Sequence, residues 1–288
     1  MLQVLYDVGG TLASVCLLSA ISYLTKLYQP AIVCIVIQWI VALFQAIPQQ
    51  RETYYDVTGS VTFAIVSLQS ILLAKVRDWH SLLLSILVWV WCIRLGTYLY
   101  QRIRGSGQDK RFETIRSNPL LFFSAWSLQG FWVFNTLLPV LLSHRRRAPV
   151  HGGMKPVQWT DVVGFLVWIV GFSMETIADA QKSKFRAVAS NRDRFITHGL
   201  WKYSRHPNYC GEMLVWFGVY CLSISTLQSP LDYTLAASSP LVVVILLTKV
   251  SGIPLMEKHA DEKWGATALY QGYKARTNLL IPIPLSLG

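Results

Sequence analysis

A succession of eight apolar runs, at roughly 9–27, 31–47, 57–74, 81–100, 120–143, 160–178, 211–227 and 235–256, restricts this chain more than any other feature. Each approaches the ~20 residues that an α-helix needs to cross the hydrocarbon of a bilayer. Charge is correspondingly scarce. Asp, Glu, Lys and Arg make up 14% of the chain against 53% hydrophobic residues, with a mean hydropathy of +0.39, whereas a soluble domain carries nearer a quarter charged residues. No period-two alternation appears, so helices rather than a barrel must do the spanning. The expected fold is all-α: a polytopic membrane helical bundle of seven or eight transmembrane helices.

The link between the first two runs, 27–30, is tight, which predicts an antiparallel N-terminal transmembrane hairpin over residues 1–50, ahead of a second region, 51–288. The first run lacks a basic leader and a small-residue cleavage site and reads as a retained span. Tyr54, Tyr55, Trp79, Trp159 and Trp201 fall at run ends, where interfacial aromatic belts lie. Of the 26 Lys and Arg residues, 17 fall in even-numbered loops and the tail, against 7 in odd-numbered loops, while Arg94 and Lys249 lie within runs. Both termini are therefore expected to face the cytoplasm, although Arg145, Arg146 and Arg147 count the other way. This sidedness also accounts for the net charge of +11; with no basic soluble domain, nucleic acid is excluded as a partner. The five cysteines are unpaired in spacing and read as small hydrophobes rather than as disulfides or a zinc site. Gly105-Ser106-Gly107 is a loop and no dinucleotide fingerprint, and neither a phosphate-binding Walker loop nor a metalloprotease motif occurs, so no metal is expected.

Polar chemistry gathers at 197–212, THGLWKYSRHPNYCGE. Lys202, Tyr203, Arg205 and His206 lie on a loop, Pro207 suits a first helical turn, and Asn208 and Glu212, four apart, share a helix face. His206 reads equally as a helix-entry hydrogen bonder or a base. The sixth run carries Glu175, Asp179, Lys182 and Arg186 on one face, acids deeper and bases shallower. Ionisable groups in a span are expensive, so this stripe is either functional or internally neutralised. The fourth run places Arg94 and Tyr98 on one face, a guanidinium that can clamp phosphate beside a phenol that can donate a proton. Lys182 to Arg205 holds seven bases against the single acid Asp193. Lys249 and Glu257 flank Gly252 and Pro254, which should kink the last run. Residues 264–276 read as an amphipathic helix at the membrane surface.

The words GLWKYSRHPNYCGE, KVSGIPLMEK and YKARTNLLIPIP, with RETYYDV near 51 and WCIRLGTYLYQRIRG near 91, resemble the steroid 5-alpha-reductase (3-oxo-5-alpha-steroid 4-dehydrogenase) superfamily, in its uncharacterised membrane branch. The likeness runs from about 51 to 284, making 51–288 a reductase-like membrane catalytic domain. The shorter RHPNY with a following Glu is similar to isoprenylcysteine carboxyl methyltransferases. The first resemblance implies NADPH held by the C-terminal helices and their cytoplasmic loops, with a lipid or steroid-like substrate entering from the bilayer. Glu175, Asp179 and Arg186 match a cofactor-contacting Asn/Asp/Arg pattern, with Glu175 in place of Asn. Asn208 and Glu212 match the family's Asn-x-x-Gly-Glu, and Arg94 matches an Arg of the corresponding helix. Trp91 falls where the reductases have a catalytic Tyr, and Ile253 falls near a cofactor-binding His.

These readings predict a membrane-embedded NADPH-dependent reductase of a C=C conjugated to a carbonyl in a steroid, sterol or other lipid, in the endoplasmic reticulum if the source is eukaryotic. Tyr98 is the first candidate for the proton donor, and Glu52 or Asp56 with Tyr54 or Tyr55 the second. The cofactor set is Arg94, Glu175, Asp179, Arg186, Tyr203, Arg205, His206, Asn208, Glu212 and Lys249. Two rivals remain: an S-adenosylmethionine-dependent lipid methyltransferase, and a non-enzymatic lipid-binding protein.

Overall fold

A computed structural model describes residues 2–106, 109–146 and 156–283; Gly107, Arg147, Lys155 and Pro284, named above, lie outside the described residues. The chain is all-α, and the described residues hold no strand. Its helices are α1 (Leu2–Thr25), α2 (Tyr28–Val41), a π-helical turn (Ala42–Ala46) running into the short α3 (Ile47–Gln49), α4 (Tyr55–Leu73), α5 (Trp79–Ser106), α6 (Pro119–Arg145), α7 (Trp159–Ala187), α8 (Pro207–Ile224), α9 (Pro230–Ile245), a second π turn (Leu246–Val250), α10 (Ile253–Trp264) and α11 (Ala268–Arg276). Among the described residues, seven helices are long and apolar enough to cross a membrane.

Two sequence expectations change here. The run at 211–227 is not one of the seven spans: its helix, α8, spends its first turns on Pro207, Asn208 and Glu212, which dilute its hydropathy. The surface helix expected over 264–276 is instead two elements. Trp264 closes α10, and Thr267 caps α11 by accepting from the Tyr270 N–H. The kink expected at Gly252 and Pro254 is present as the break between the second π turn and α10.

The described chain groups into two compact units, Met1–Asp161 with Leu222–Val242, and Val162–Cys221 with Val243–Gly288. In the first unit, α6 is the central post, apolar all round and 83% buried over its spanning window, with α1, α2 and α4 packed against it. Asn118 caps it by accepting from the Leu120 and Leu121 N–H groups, and Pro119 follows at its first position. Three of its polar side chains reach neighbouring helices: Ser124 Oγ donates to the Asp7 carbonyl, Ser127 Oγ accepts from Trp39 Nε1, and Gln129 Nε2 donates to the Tyr55 carbonyl. Where lipid competes on equal terms for apolar surface, such bonds and close packing hold helices together.

A buried polar hub closes one end of this unit. Asp161 accepts from Ser225 Oγ at 2.8 Å and meets His80 Nε2 at 3.1 Å, while Asp78 pairs with the buried Arg146. Burial alone would raise the Asp78 carboxyl, but the Ser81 N–H and Arg146 outweigh it and hold it below its ordinary value.

In the second unit α7 crosses α8 at van der Waals contact. A Cβ added at Gly211 would lie 2.6 Å from the Glu175 backbone nitrogen, and one at Gly218 would lie 2.7 Å from the Gly164 carbonyl oxygen. Only glycine permits this approach.

Candidate functional site

The candidate residues divide between the units. In the first, Glu52 and Asp56 stand where α3 gives way to α4. Glu52 is buried, accepts from the Asp109 N–H at 2.6 Å and lies 3.7 Å from Arg116. Both oxygens of Asp56 accept from Arg111 Nη2, at 3.0 and 2.9 Å, and Arg102 stands 3.5 Å away. Asp109 joins the same guanidinium at 2.7 Å. Burial would raise Asp109, but Arg111 holds it below the usual carboxylate range; the two acids in turn keep Arg111 firmly charged despite its burial. This four-membered network ties the 109–112 turn to the start of α4. Tyr55 turns its hydroxyl inward to the Ala125 carbonyl, 3.0 Å away, and its ring packs against Phe112 and Trp126.

Tyr98 and Arg94 share a face of α5, both partly buried, with the guanidinium carbon 5.6 Å from the phenol ring centroid. Trp91, one turn earlier, is 1% exposed and packs edge-on against Phe63, with centroids 5.2 Å apart. It is a core residue of the α4–α5 contact.

The second unit brings four sequence candidates together. Glu175 and Asp179 are 2% and 3% exposed on α7. Asn208 Nδ2 in the first turn of α8 donates to Asp179 Oδ1 at 3.2 Å, and Gly211 lies on the backbone of Glu175. Glu212, one position further, is partly buried on the same turn. The four-residue spacings of 175/179 and 208/212 thus meet where the two helices touch. Thr176 Oγ1, beside Glu175, is buried and has no hydrogen-bond partner among the described residues. Lys182, one turn beyond Asp179, stands 4.6 Å over the Trp201 ring, and Arg186 is exposed a turn further along α7.

Arg205 and His206 form a different group. Arg205 Nη2 pairs with Glu257 Oε2 at 3.0 Å, Nε donates to Oε1 at 3.3 Å, and Nη1 donates to the Lys274 and Thr277 carbonyls. His206 Nε2 meets Glu257 Oε1 at 2.9 Å, and its ring stacks on Tyr209. Lys274 approaches the same carboxylate at 3.7 Å. The Arg205 N–H donates to the Asn278 carbonyl, Ser204 Oγ to that of Leu280, and Tyr273 Oη to that of Trp201 at 2.7 Å. Burial pushes His206 below its ordinary value, with Lys182 and Arg205 adding to the effect and Glu257 opposing it. The positive φ of Gly199 (62°) begins the tight turn feeding this loop; a side chain there would strike Gln181, whose Oε1 accepts from the Leu200 N–H.

Tyr203 is half exposed beneath Lys202, and Lys249 is exposed on the second π turn. The Asp179–Asn208 hydrogen bond includes neither residue. The partner that the site reading of the sequence left out is Glu257. Its one signal was an acid just past an apolar run and a Gly-x-Pro break, with nothing to indicate that it meets Arg205 and His206 some fifty residues away.

A family model described as a protein of unknown function, DUF1295, matches residues 31–277. An uncharacterized protein of Schizosaccharomyces pombe is 25% identical over 213 residues, which is 66% of this chain and 60% of that protein's length. No solved structure matches the chain.

Proposed function

The chain belongs to the DUF1295 family, and on that footing we propose that it is a membrane-embedded, NADPH-dependent reductase of a conjugated C=C in a lipid. The observation that carries the reading is the meeting of Glu175, Asp179 and Asn208 at the glycine-lined crossing of α7 and α8. The residues there suit a dinucleotide. Carboxylates accept from ribose hydroxyls, the Asn208 amide both donates and accepts, and the unsatisfied Thr176 hydroxyl offers one more contact. Lys182 and the exposed Arg186, in line with Asp179 along α7, supply positive charge for phosphate. Arg205 and His206 are engaged with Glu257 and the 274–280 strap, so their role is to position the start of α8.

NADPH supplies a hydride to the β-carbon of an enone when bound. The chain's share is to bind and orient the nucleotide, keep water out and protonate the developing enolate. Tyr98, on α5 beside the Arg94 guanidinium, is the candidate proton donor that the first unit offers on its own. Asp56 and Glu52, already held by Arg111 and the Asp109 N–H, brace the 109–112 turn instead. The excess of Lys and Arg in even-numbered loops supports a site facing the cytoplasm.

The test is a melting curve of detergent-solubilised protein with NADPH and with S-adenosylmethionine. NADPH should raise the melting temperature. Arg186→Ala should weaken binding roughly tenfold, since a charge-assisted contact contributes ~1.5–3 kcal/mol. A shift with S-adenosylmethionine and none with NADPH would overturn the reductase reading in favour of a methyltransferase.

A further inference from the structure

In the second unit the chain after α11 runs beside the loop that leads into α8 as an extended strap, and its two sides differ. The Asn278 carbonyl accepts from the Arg205 N–H at 2.9 Å, and the Leu280 carbonyl accepts from Ser204 Oγ at 2.7 Å. The alternate residues Leu279, Ile281 and Ile283 are 42%, 56% and 58% exposed, while Asn278, Leu280 and Pro282 between them are partly buried. Alternation of that kind sets three aliphatic side chains along one edge of an extended segment. In water such an edge is a liability.

Helix α7 gives the depth of this edge. Its first residue, Trp159, is an exposed aromatic of the interfacial type. Gln181 lies 22 residues further along the helix, about 33 Å at 1.5 Å per residue, against ~30 Å of hydrocarbon. At that level Gln181 Oε1 accepts from the Leu200 N–H, and the Ala178 carbonyl accepts from Trp201 Nε1. The strap closes on the residues that follow directly: Tyr273 Oη donates to the Trp201 carbonyl, and Thr277 Oγ1 donates to that of Lys202 at 3.4 Å. Its apolar edge therefore stands where hydrocarbon gives way to headgroups. The charge carried by the segment has one sign. From Lys263 to Ile283 the sequence holds three bases and no acid, and the Thr277–Lys202 bond brings the exposed Lys202 and Arg276 to neighbouring backbone positions. Tyr203, also exposed, adds an aromatic of the sort found at headgroup level. Aliphatic, aromatic and basic residues together at this depth match an anionic leaflet; a soluble protein partner would have to reach into the headgroups to meet them.

We infer that the 277–283 strap is an interfacial anchor for an anionic leaflet. Leu279, Ile281 and Ile283 sit at the boundary of headgroups and acyl chains, as the apolar face of a monotopic helix does, and Lys202 and Arg276 meet the phosphates. Because the same strap holds Ser204 and Arg205, seating it fixes the entry to α8 against the lipid surface. The inference does not rest on the reductase reading, since it gives no residue a role in binding nucleotide.

The test places a nitroxide on the full chain in nanodiscs of phosphatidylcholine, with or without phosphatidylserine. Cys16 is an exposed native cysteine and the other four are buried, so Ile281→Cys in a Cys16→Ala background carries the label at one point. With phosphatidylserine present, oxygen, which concentrates in lipid, should relax the label more than a water-soluble nickel chelate does. Leu279→Ser with Ile283→Ser should reverse that order; both residues are exposed, so the change unseats the edge without touching the core. The ratio of lipid-seated to water-exposed label should rise with phosphatidylserine, about fivefold for each base engaged, and Arg276→Gln should remove its share of that rise. The NADPH melting shift should be the same in wild type and in Leu279→Ser with Ile283→Ser, which separates failure of this anchor from failure of the reductase reading. A label at 281 relaxed chiefly by nickel in both lipid mixtures would put the strap in water and overturn the inference. No phosphatidylserine effect, or one unchanged in Arg276→Gln, would overturn the contact with anionic headgroups.

Discussion

Arg205, on the loop leading into α8, and Asp179, which bonds the first turn of that helix, have surroundings that differ in kind. The guanidinium of Arg205 is surrounded by protein acceptors: two oxygens of Glu257 and two strap carbonyls. Asp179 meets the amide of Asn208 next to an unsatisfied hydroxyl, on a helix that goes on to present Lys182 and Arg186. The first group is a clasp and the second a receptive face. A basic residue in a promising motif is thus no guide to ligand binding until its partners are known. Arg205 and Arg186 look alike in sequence; one is internal wiring and the other is exposed.

The contrast breaks most visibly at the clasp. Arg205→Ala strips Glu257 of its main partner, and losing one member of a largely buried ion pair costs about 3 kcal/mol or more. The melting temperature without nucleotide should fall by several degrees, and Arg205→Ala with Glu257→Gln should cost much less than the sum of the two. Additive losses would mean that the two residues do not act as one clasp. A smaller effect belongs to the face. Asp179→Asn keeps the shape and should cost roughly 1 kcal/mol of stability, yet remove most of the melting shift produced by NADPH; an undiminished shift would move the nucleotide elsewhere.

The smallest effect is the share of the pH dependence that the clasp contributes. His206 has a folded pKa below its unfolded value of about 6.5. The unfolded chain therefore binds the proton first as pH drops, and stability present above pH ~6.5 declines towards the folded pKa. His206→Gln should reduce the slope of melting temperature between pH 7 and pH 5, while Asp179→Asn leaves that slope unchanged. An equal slope in wild type and His206→Gln would assign the pH dependence to other groups.

Much of the architecture was legible because hydropathy and local stereochemistry write it directly. The long spans, Pro207 opening α8, the turn at Gly199 and the break before α10 all follow from residues within one helical turn of the event. The face at Asp179 and Asn208 was half legible, since each helix displays its own four-residue spacing but not which helix faces it. What stayed hidden depends on distance along the chain. Asp56 meets Arg111 from 55 residues away, Arg205 meets Glu257 from 52, and His80 meets Asp161 from 81. One sequence records no pairing of that kind. The spanning strength of α8 was misjudged for another reason: an apolar run was read from Gly211 onward, whereas the helix begins four residues earlier, on polar ground.

The strap that crosses Ser204 and Arg205 also sets a schedule. The carbonyls of Thr277 and Leu280 are 72 and 76 positions downstream of the groups they receive, and α8, α9 and α10 are synthesised in between. During translation, the RHP loop and its helix therefore emerge well before the segment that fastens them exists. Throughout that interval Arg205 lacks the two strap carbonyls that it meets in the finished chain, although Glu257 is already made. Synthesis of residues 274–280 ends the interval, so a chain halted before them carries every candidate span and Glu257 but none of the strap.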